Sequence, residues 1–194
     1  MDIHDKPVPA ISDRDRWNAK FVAGEGQLAE PDPFLIEGCA ALPPGRALDL
    51  AGGAGRHSIW LAQRGWRVTL ADVSDEGLAR GRERVARAGV SVTFRRESAA
   101  ETVAWGREGH GFDLVVVFLF LLREHFAELP EFLAPGGRLL YKTYTSDHVR
   151  FAQGHSLRFA LEPGELRTAF PSLRTLIYRE ENGVAELLAQ APER

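Results

Sequence analysis

The stretch Ala47-Leu48-Asp49-Leu50 followed by Ala51-Gly52-Gly53-Ala54-Gly55 constrains the fold of this chain more than any other. A short apolar run fits a buried strand, the glycines fit a tight turn, and Ser58, Leu61 and Ala62 then fall at helical spacing. The unit repeats. Val68-Thr69-Leu70-Ala71 reads as a second strand, and Ser74 with Asp75 and Glu76 starts a helix that Gly89 closes. Residues 90–94 read as a third strand, 112–119 as a fourth strand buried on both faces and therefore central, and 139–143 as a fifth. Between the last two, Phe126, Leu129 and Leu133 predict an amphipathic helix. Strands alternating with helices imply right-handed crossovers and a parallel sheet.

The C-terminal part has a different pattern. Strand-like runs at 173–179 and 184–189 flank Glu181-Asn182-Gly183, and Asn-Gly between two such runs is a strong hairpin signal. The expected fold is therefore α/β, a Rossmann-like doubly wound seven-stranded sheet, mostly parallel with a C-terminal antiparallel hairpin. At the other end, Ser12 with Asp15 resembles a capping box ahead of Trp17 and Phe21, and a second short helix is expected after Pro33.

At 194 residues the chain suits one well-buried core, so a single domain over 1–194 is expected. A net charge of −3 gives no overall attraction to phosphate backbones, which disfavours nucleic acid as a partner. Cys39 is the lone cysteine, which excludes an intramolecular disulfide and a cysteine metal cluster; no metal site is expected. Residues 1–6 lack the basic and apolar regions of a secretory leader. The longest apolar run, 114–122, has nine residues, whereas a membrane helix needs about 20. A cytoplasmic chain with no membrane contact is expected. Oligomeric state is not legible.

Glycines at a strand-to-helix turn let a ligand approach the backbone, and free N–H groups at the helix start favour a negative group. Alone, such a segment is equally a turn that needs glycine for geometry. Asp72, at the end of the second strand, lies where a ribose-binding acid is expected, and the pair indicates a nucleoside cofactor. A dinucleotide fingerprint requires a third glycine where Ser58 stands, and no Gly-Lys-Ser/Thr marks a P-loop. The cofactor need not carry a pyrophosphate.

Over nearly its whole length the sequence resembles the class I S-adenosylmethionine-dependent methyltransferases. Asp49 to Gly55 is similar to their D-x-G-x-G-x-G motif, with Ala51 and Gly52 as small-residue departures, and Asp72-Val73-Ser74 is similar to the end of their second strand. Within the class it most resembles the tellurite-resistance-type small-molecule branch. That likeness runs through Trp17 to Phe21, Arg56-His57, Leu121-Leu122-Arg123, Pro135-Gly136-Gly137 and Leu161 to Leu166. Leu122 stands where that branch often has histidine.

The resemblance implies S-adenosylmethionine as cofactor, a helical cover at 1–44 including Trp17, and a Rossmann-like core at 45–194. It implies that Asp49 helps fix the methionine amino end, that the backbone at Ala51, Gly52, Gly53 and Gly55 passes close to the cofactor, and that the helix start at Arg56 faces its carboxylate. Asp72 would hold the ribose, Glu97 or Ser98 the adenine, with Val73 and Ala99 against the ring, while Phe118 and Leu119 wall the sulfonium. The reaction implied is in-line methyl transfer to a small, anionic or weakly polar acceptor. Arg123 is the residue expected to hold an acceptor anion, and His57, His125, Tyr144, His148 and His155 are further helpers to weigh against ordinary packing. The rival readings are a non-catalytic S-adenosylmethionine-binding protein and an NAD-dependent oxidoreductase. A nucleic-acid methyltransferase would be expected to carry an Asn/Asp-Pro-Pro-aromatic run where Phe118-Leu119-Phe120-Leu121 stands.

Overall fold

Apolar runs separated by turn residues give β1 (Arg46–Leu50), β2 (Arg67–Asp72), β3 (Val92–Arg96), β4 (Phe112–Phe118) and β5 (Leu133–Tyr144), then β6 (Arg174–Glu181) and β7 (Val184–Gln190). The computed structural model describes residues 12–24, 28–106 and 111–193; residues 1–6, read above for a leader, lie outside them. The strands form one sheet in the order β3-β2-β1-β4-β5-β7-β6. β1 to β5 run parallel, and β7 is antiparallel to both β5 and β6. β1 and β4 sit centrally and end together, the place where such sheets bind ligands.

The sheet is apolar on both faces because its central strands alternate between two cores. Val115 and Val117 of β4 pack with Leu48, Leu139 and Tyr141 on one face. Leu114, Val116 and Phe118 pack with Phe34, Leu35, Trp60 and Leu61 on the other. The last four belong to α2 (Pro33–Cys39) and α3 (Arg56–Ala62). Gly38 of α2 is needed there, since a Cβ would meet the Leu140 side chain at 2.7 Å.

α1 (Asp13–Val22) begins as its sequence dictates: Ser12 Oγ accepts from Asp15 N at 3.1 Å and donates to Asp15 Oδ2 at 2.6 Å. It lies on α4 (Asp75–Ala88), where Asn18 Oδ1 accepts from Ser74 Oγ at 2.7 Å and Glu76 N at 3.2 Å. Phe21 fills the gap left by Gly53 and Gly77, where added Cβ atoms would meet its ring at 3.0 and 2.7 Å. α1 alone of the first two helices reaches the ligand end of the sheet; α2 belongs to the core.

Three local expectations are corrected. β3 starts two residues later than read. The helix predicted from Phe126, Leu129 and Leu133 is instead two 3-10 turns, Arg123–His125 and Leu129–Phe132. Pro130 supplies no N–H for a helical ladder, and Leu133 is already drawn into β5, opposite Phe112. β5 is longer than expected and absorbs Pro135-Gly136-Gly137 through a register shift between Phe112 and Leu114 on its neighbour. The hairpin turn follows the sequence reading, with Asn182 at φ 52° and Gly183 at φ 71°.

Candidate functional site

At the carboxyl ends of β1, β2 and β4, under α1, lies a cavity of about 260 Å³. Its walls include Trp17, Ala51, Gly53, Asp72, Val73, Glu97, Ala99 and Phe118, eight of the residues singled out from sequence. The turn that forms its floor is held in the left-handed region at Ala51 (φ 56°), Gly53 (φ 54°) and Gly55 (φ 76°). Gly77 and Gly81 of α4 allow the close seat behind it: a Cβ on Gly81 would lie 3.0 Å from the Phe94 ring and 3.6 Å from the backbone of Gly53 and Ala54.

Asp72 is the best-fixed acid of the cavity. Its Oδ2 accepts from Gly53 N at 2.8 Å and its Oδ1 from Ser74 N at 2.8 Å, so one carboxylate ties the glycine turn to the start of α4. Burial raises its pKa while these backbone donors, with Val73, oppose the rise. Carboxylate oxygens have further acceptor capacity, which Asp72 presents to the cavity. On the adjacent wall Glu97 accepts from Arg95 through Oε1, while its Oε2 is buried without a partner among the described residues. A buried unpaired acceptor beside a cavity favours a ligand that donates hydrogen bonds.

Other expected residues stand elsewhere. Asp49 is 1% exposed and does not line the cavity; its Oδ2 accepts from Ser58 N at 3.1 Å and Ser58 Oγ at 2.6 Å. A buried carboxylate needs such donors, and burial still pushes its pKa up to about 6 against the Ser58 hydrogen bonds. It braces the turn from behind. Gly52 is shaped by Asp49 as well, since a Cβ would meet the carboxyl at 2.7 Å. Gly55 and Arg56 start α3 away from the cavity wall. Ser98 is spent as the cap of α5 (Ala99–Gly106): its Oγ accepts from Glu101 N at 3.3 Å and its N–H donates to Glu101 Oε2 at 2.7 Å. That leaves Glu97 of the two adenine candidates facing the first cavity.

A second, wider cavity of about 620 Å³ adjoins the first and shares Trp17, Lys20, Ala99, Leu119, Phe120, Tyr144 and Arg150 with it. Arg123 lines this cavity, but its head is engaged. Its Nε donates to Glu165 Oε1 at 2.6 Å, and Nη2 donates to Glu165 Oε2 at 2.8 Å and to Ala160 O at 2.7 Å. These bonds raise the Arg123 pKa, led by the Glu165 hydrogen bond, and hold that of Glu165 down. The residue expected to seize an acceptor anion is thus a strap between the turn at Arg123–His125 and the start of the short helix at Glu165–Thr168. Tyr144, His125 and His155 line the wider cavity, whereas His148 caps α6 (Val149–Ala152) by accepting from Arg150 N at 3.2 Å. His57 is 4% exposed, its ring centre 4.4 Å from that of Phe118 with the planes tilted by 52°, and its pKa is pushed down to about 3 by burial and then by Arg56. It stays neutral near pH 7 and does not reach either cavity.

Sequence reasoning did not assign Lys20 and Arg150 to the site. Lys20 had a findable signal, falling three residues after Trp17 on one helix face; Arg150 is brought in only by the return of the chain after β5. Among the described residues no group of three or more metal-ligating side chains gathers, and no helix is long and apolar enough to cross a membrane.

A Rossmann-like sheet with a glycine turn at β1, an acid ending β2 and an antiparallel terminal hairpin defines the class I S-adenosylmethionine-dependent methyltransferase fold. Residues 47–137 match the family model for a methyltransferase domain. It is 30% identical over 145 residues to the ribosomal RNA small subunit methyltransferase C of Alcanivorax borkumensis, covering 68% of this chain and 43% of that protein. The chain spans less than half the length of the curated relatives it matches. In fold it is similar to TehB from Haemophilus influenzae, with TM-score 0.72 and 19% identity over 89% of this chain and 66% of TehB. It is also similar to the N-methyltransferase NodS from Bradyrhizobium japonicum in complex with S-adenosylhomocysteine, with TM-score 0.63 and 19% identity over 82% and 84% of the two chains.

Proposed function

We propose that this chain transfers the methyl group of S-adenosylmethionine to a small-molecule acceptor held in the wider cavity. The observation that carries the reading is the junction between the cavities, where Ala99, Leu119, Phe120 and Tyr144 line both. A cofactor held in the narrower space would be reachable by an acceptor in the wider one.

The residues present fit that cofactor. Asp72 offers carboxylate oxygens to the ribose hydroxyls, Glu97 Oε2 offers an unused acceptor to the adenine amino group, and Val73 and Ala99 flank the space between them. The backbone at Ala51 and Gly53, which lines the same cavity, would hold the methionine portion, with Asp49 supporting that turn from behind. When bound, the cofactor would supply an electrophilic methyl group on a cationic sulfur that can leave with the C–S electron pair, and an acceptor that is not already an anion would have to give up a proton. The protein's part is to align the acceptor and exclude water, which the apolar walls at Leu119 and Phe120 favour. His125, His155 and Tyr144 are in position to relay the released proton.

Calorimetric titration with S-adenosylhomocysteine tests the cofactor half, with stoichiometric binding expected; a folded sample that does not bind it overturns the reading. A screen of small acceptors, with ribosomal RNA alongside and S-adenosylhomocysteine as the detected product, tests the other half. Turnover on the RNA alone would replace the small-molecule acceptor.

A further inference from the structure

The wider cavity carries five cationic side chains, Arg16, Lys20, Arg123, Arg150 and Arg158, against two carboxylates, Asp13 and Glu124. Two of the cations are committed inside the protein. Arg16 donates to Asp13 at 2.7 Å, and Arg123 is held by Glu165. Lys20 lies 4.6 Å from the centre of the Trp17 ring. Arg150 and Arg158 differ from these: among the described residues neither is paired with a carboxylate. The Arg150 guanidinium lies 4.4 Å from the Tyr144 ring centre and 3.5 Å from His155 Nδ1, and Arg158 lies 4.5 Å from the Phe159 ring centre.

An arginine laid on an aromatic face keeps its planar fork of donors available at the edge. Two such forks border a space whose other walls include Phe120, Phe151, Leu119 and Leu121. Apolar walls recognise a flat apolar body, and unpaired guanidinium groups recognise a planar anion on it. Resting on the methyl-transfer reading above, we infer that the acceptor is an aromatic carboxylate, its ring against these walls and its carboxylate at Arg150 and Arg158. Arg150 borders both cavities, whereas Arg158 borders only the wider one, so Arg158 reports on the acceptor without touching the cofactor space.

The test uses the full chain saturated with S-adenosylhomocysteine. It is titrated calorimetrically with benzoate, 4-hydroxybenzoate, phenylacetate and indole-3-acetate, each beside its neutral primary amide. The carboxylates are expected to bind about tenfold or more tighter than their amides. Arg158→Gln is expected to abolish most of that preference, leaving S-adenosylhomocysteine affinity and melting temperature unchanged, and Arg150→Gln to weaken the carboxylates equally. Amides binding as well as carboxylates, no carboxylate bound at millimolar concentration, or a preference that survives both substitutions would overturn the inference. Failure of S-adenosylhomocysteine itself to bind would instead strike the cofactor reading, which the first titration detects separately.

Discussion

Asp49 and His57, both buried behind the glycine turn, respond to acid in opposite senses. Burial lifts the Asp49 carboxyl to about 6, so the folded state takes up its proton more readily than the unfolded chain. Its contribution to stability is present below the ordinary carboxyl range and is lost as pH rises through about 6. Burial lowers His57 to about 3, so the unfolded chain takes the proton that the folded state refuses. That contribution is present above about pH 6.5 and is lost as pH falls toward 3. Between these limits the two residues offset each other in the wild type. Urea denaturation from pH 7.5 down to about 4.5 should show His57→Leu losing roughly 2 kcal/mol less stability than wild type over that range, and Asp49→Asn losing more. Parallel profiles in all three proteins would refute the assignment. The sequence made Asp49 conspicuous, yet could not say that its partner would be Ser58 rather than a ligand, because that depends on how α3 packs over the end of β1.

At the scale of elements, the loop 119–122 runs along the boundary of the two cavities, with Leu119 and Phe120 lining both, and is stitched from below. Leu119 N donates to Lys142 O at 2.7 Å, and Leu119 adopts φ 57°, which ends β4 one residue before the sequence reading. The Tyr141 hydroxyl donates to Phe120 O at 3.0 Å and accepts from Leu122 N at 2.9 Å. Tyr141→Phe strands both backbone groups and should cost about 1–3 kcal/mol by denaturant titration. It should also lower kcat more than S-adenosylhomocysteine affinity, since Tyr141 is a positioning residue for the loop at the boundary of the two cavities. Equal losses in the two measurements would deny it that role. Arg123 and Glu165 strap the same loop to α7 (Glu165–Thr168). Arg123→Ala, Glu165→Ala and the double variant should therefore show nearly the same loss of activity with any acceptor found. Additive losses would return Arg123 to the acceptor-holding role that its position in the sequence implies.

At the scale of the whole molecule, the narrower cavity joins α1 to the ends of β1, β2 and β4, so the proposed cofactor should stabilise the fold when it binds there. Ligand at about 100 times its Kd contributes roughly 2.7 kcal/mol, a rise in Tm of about 5–11 °C for a chain of this size. S-adenosylhomocysteine should produce that rise in wild type, and Asp72→Asn should remove most of it by trading a charged acceptor for a donor opposed to Gly53 N. NAD giving the larger rise would favour the oxidoreductase reading. Much of this architecture is written locally: apolar runs for β1, β2 and β4, Ser12 and Ser74 as caps, Asn182-Gly183 as a hairpin turn, and Asp72 one turn of the unit after the glycines. Such features depend on neighbours within a few residues, so period and turn chemistry reveal them. The region from Arg123 to Leu133 misled, because apolar spacing compatible with a helix was overruled by Pro130 and by the pull of β5 toward β4. By itself the sequence determined the sheet, its hairpin and the cofactor turn. Only the tertiary structure decided which charges remain available, since Arg123 and Glu165 are 42 positions apart and Arg150 reaches the site by a chain return. Pairing between distant side chains is set by packing, and no local pattern records it.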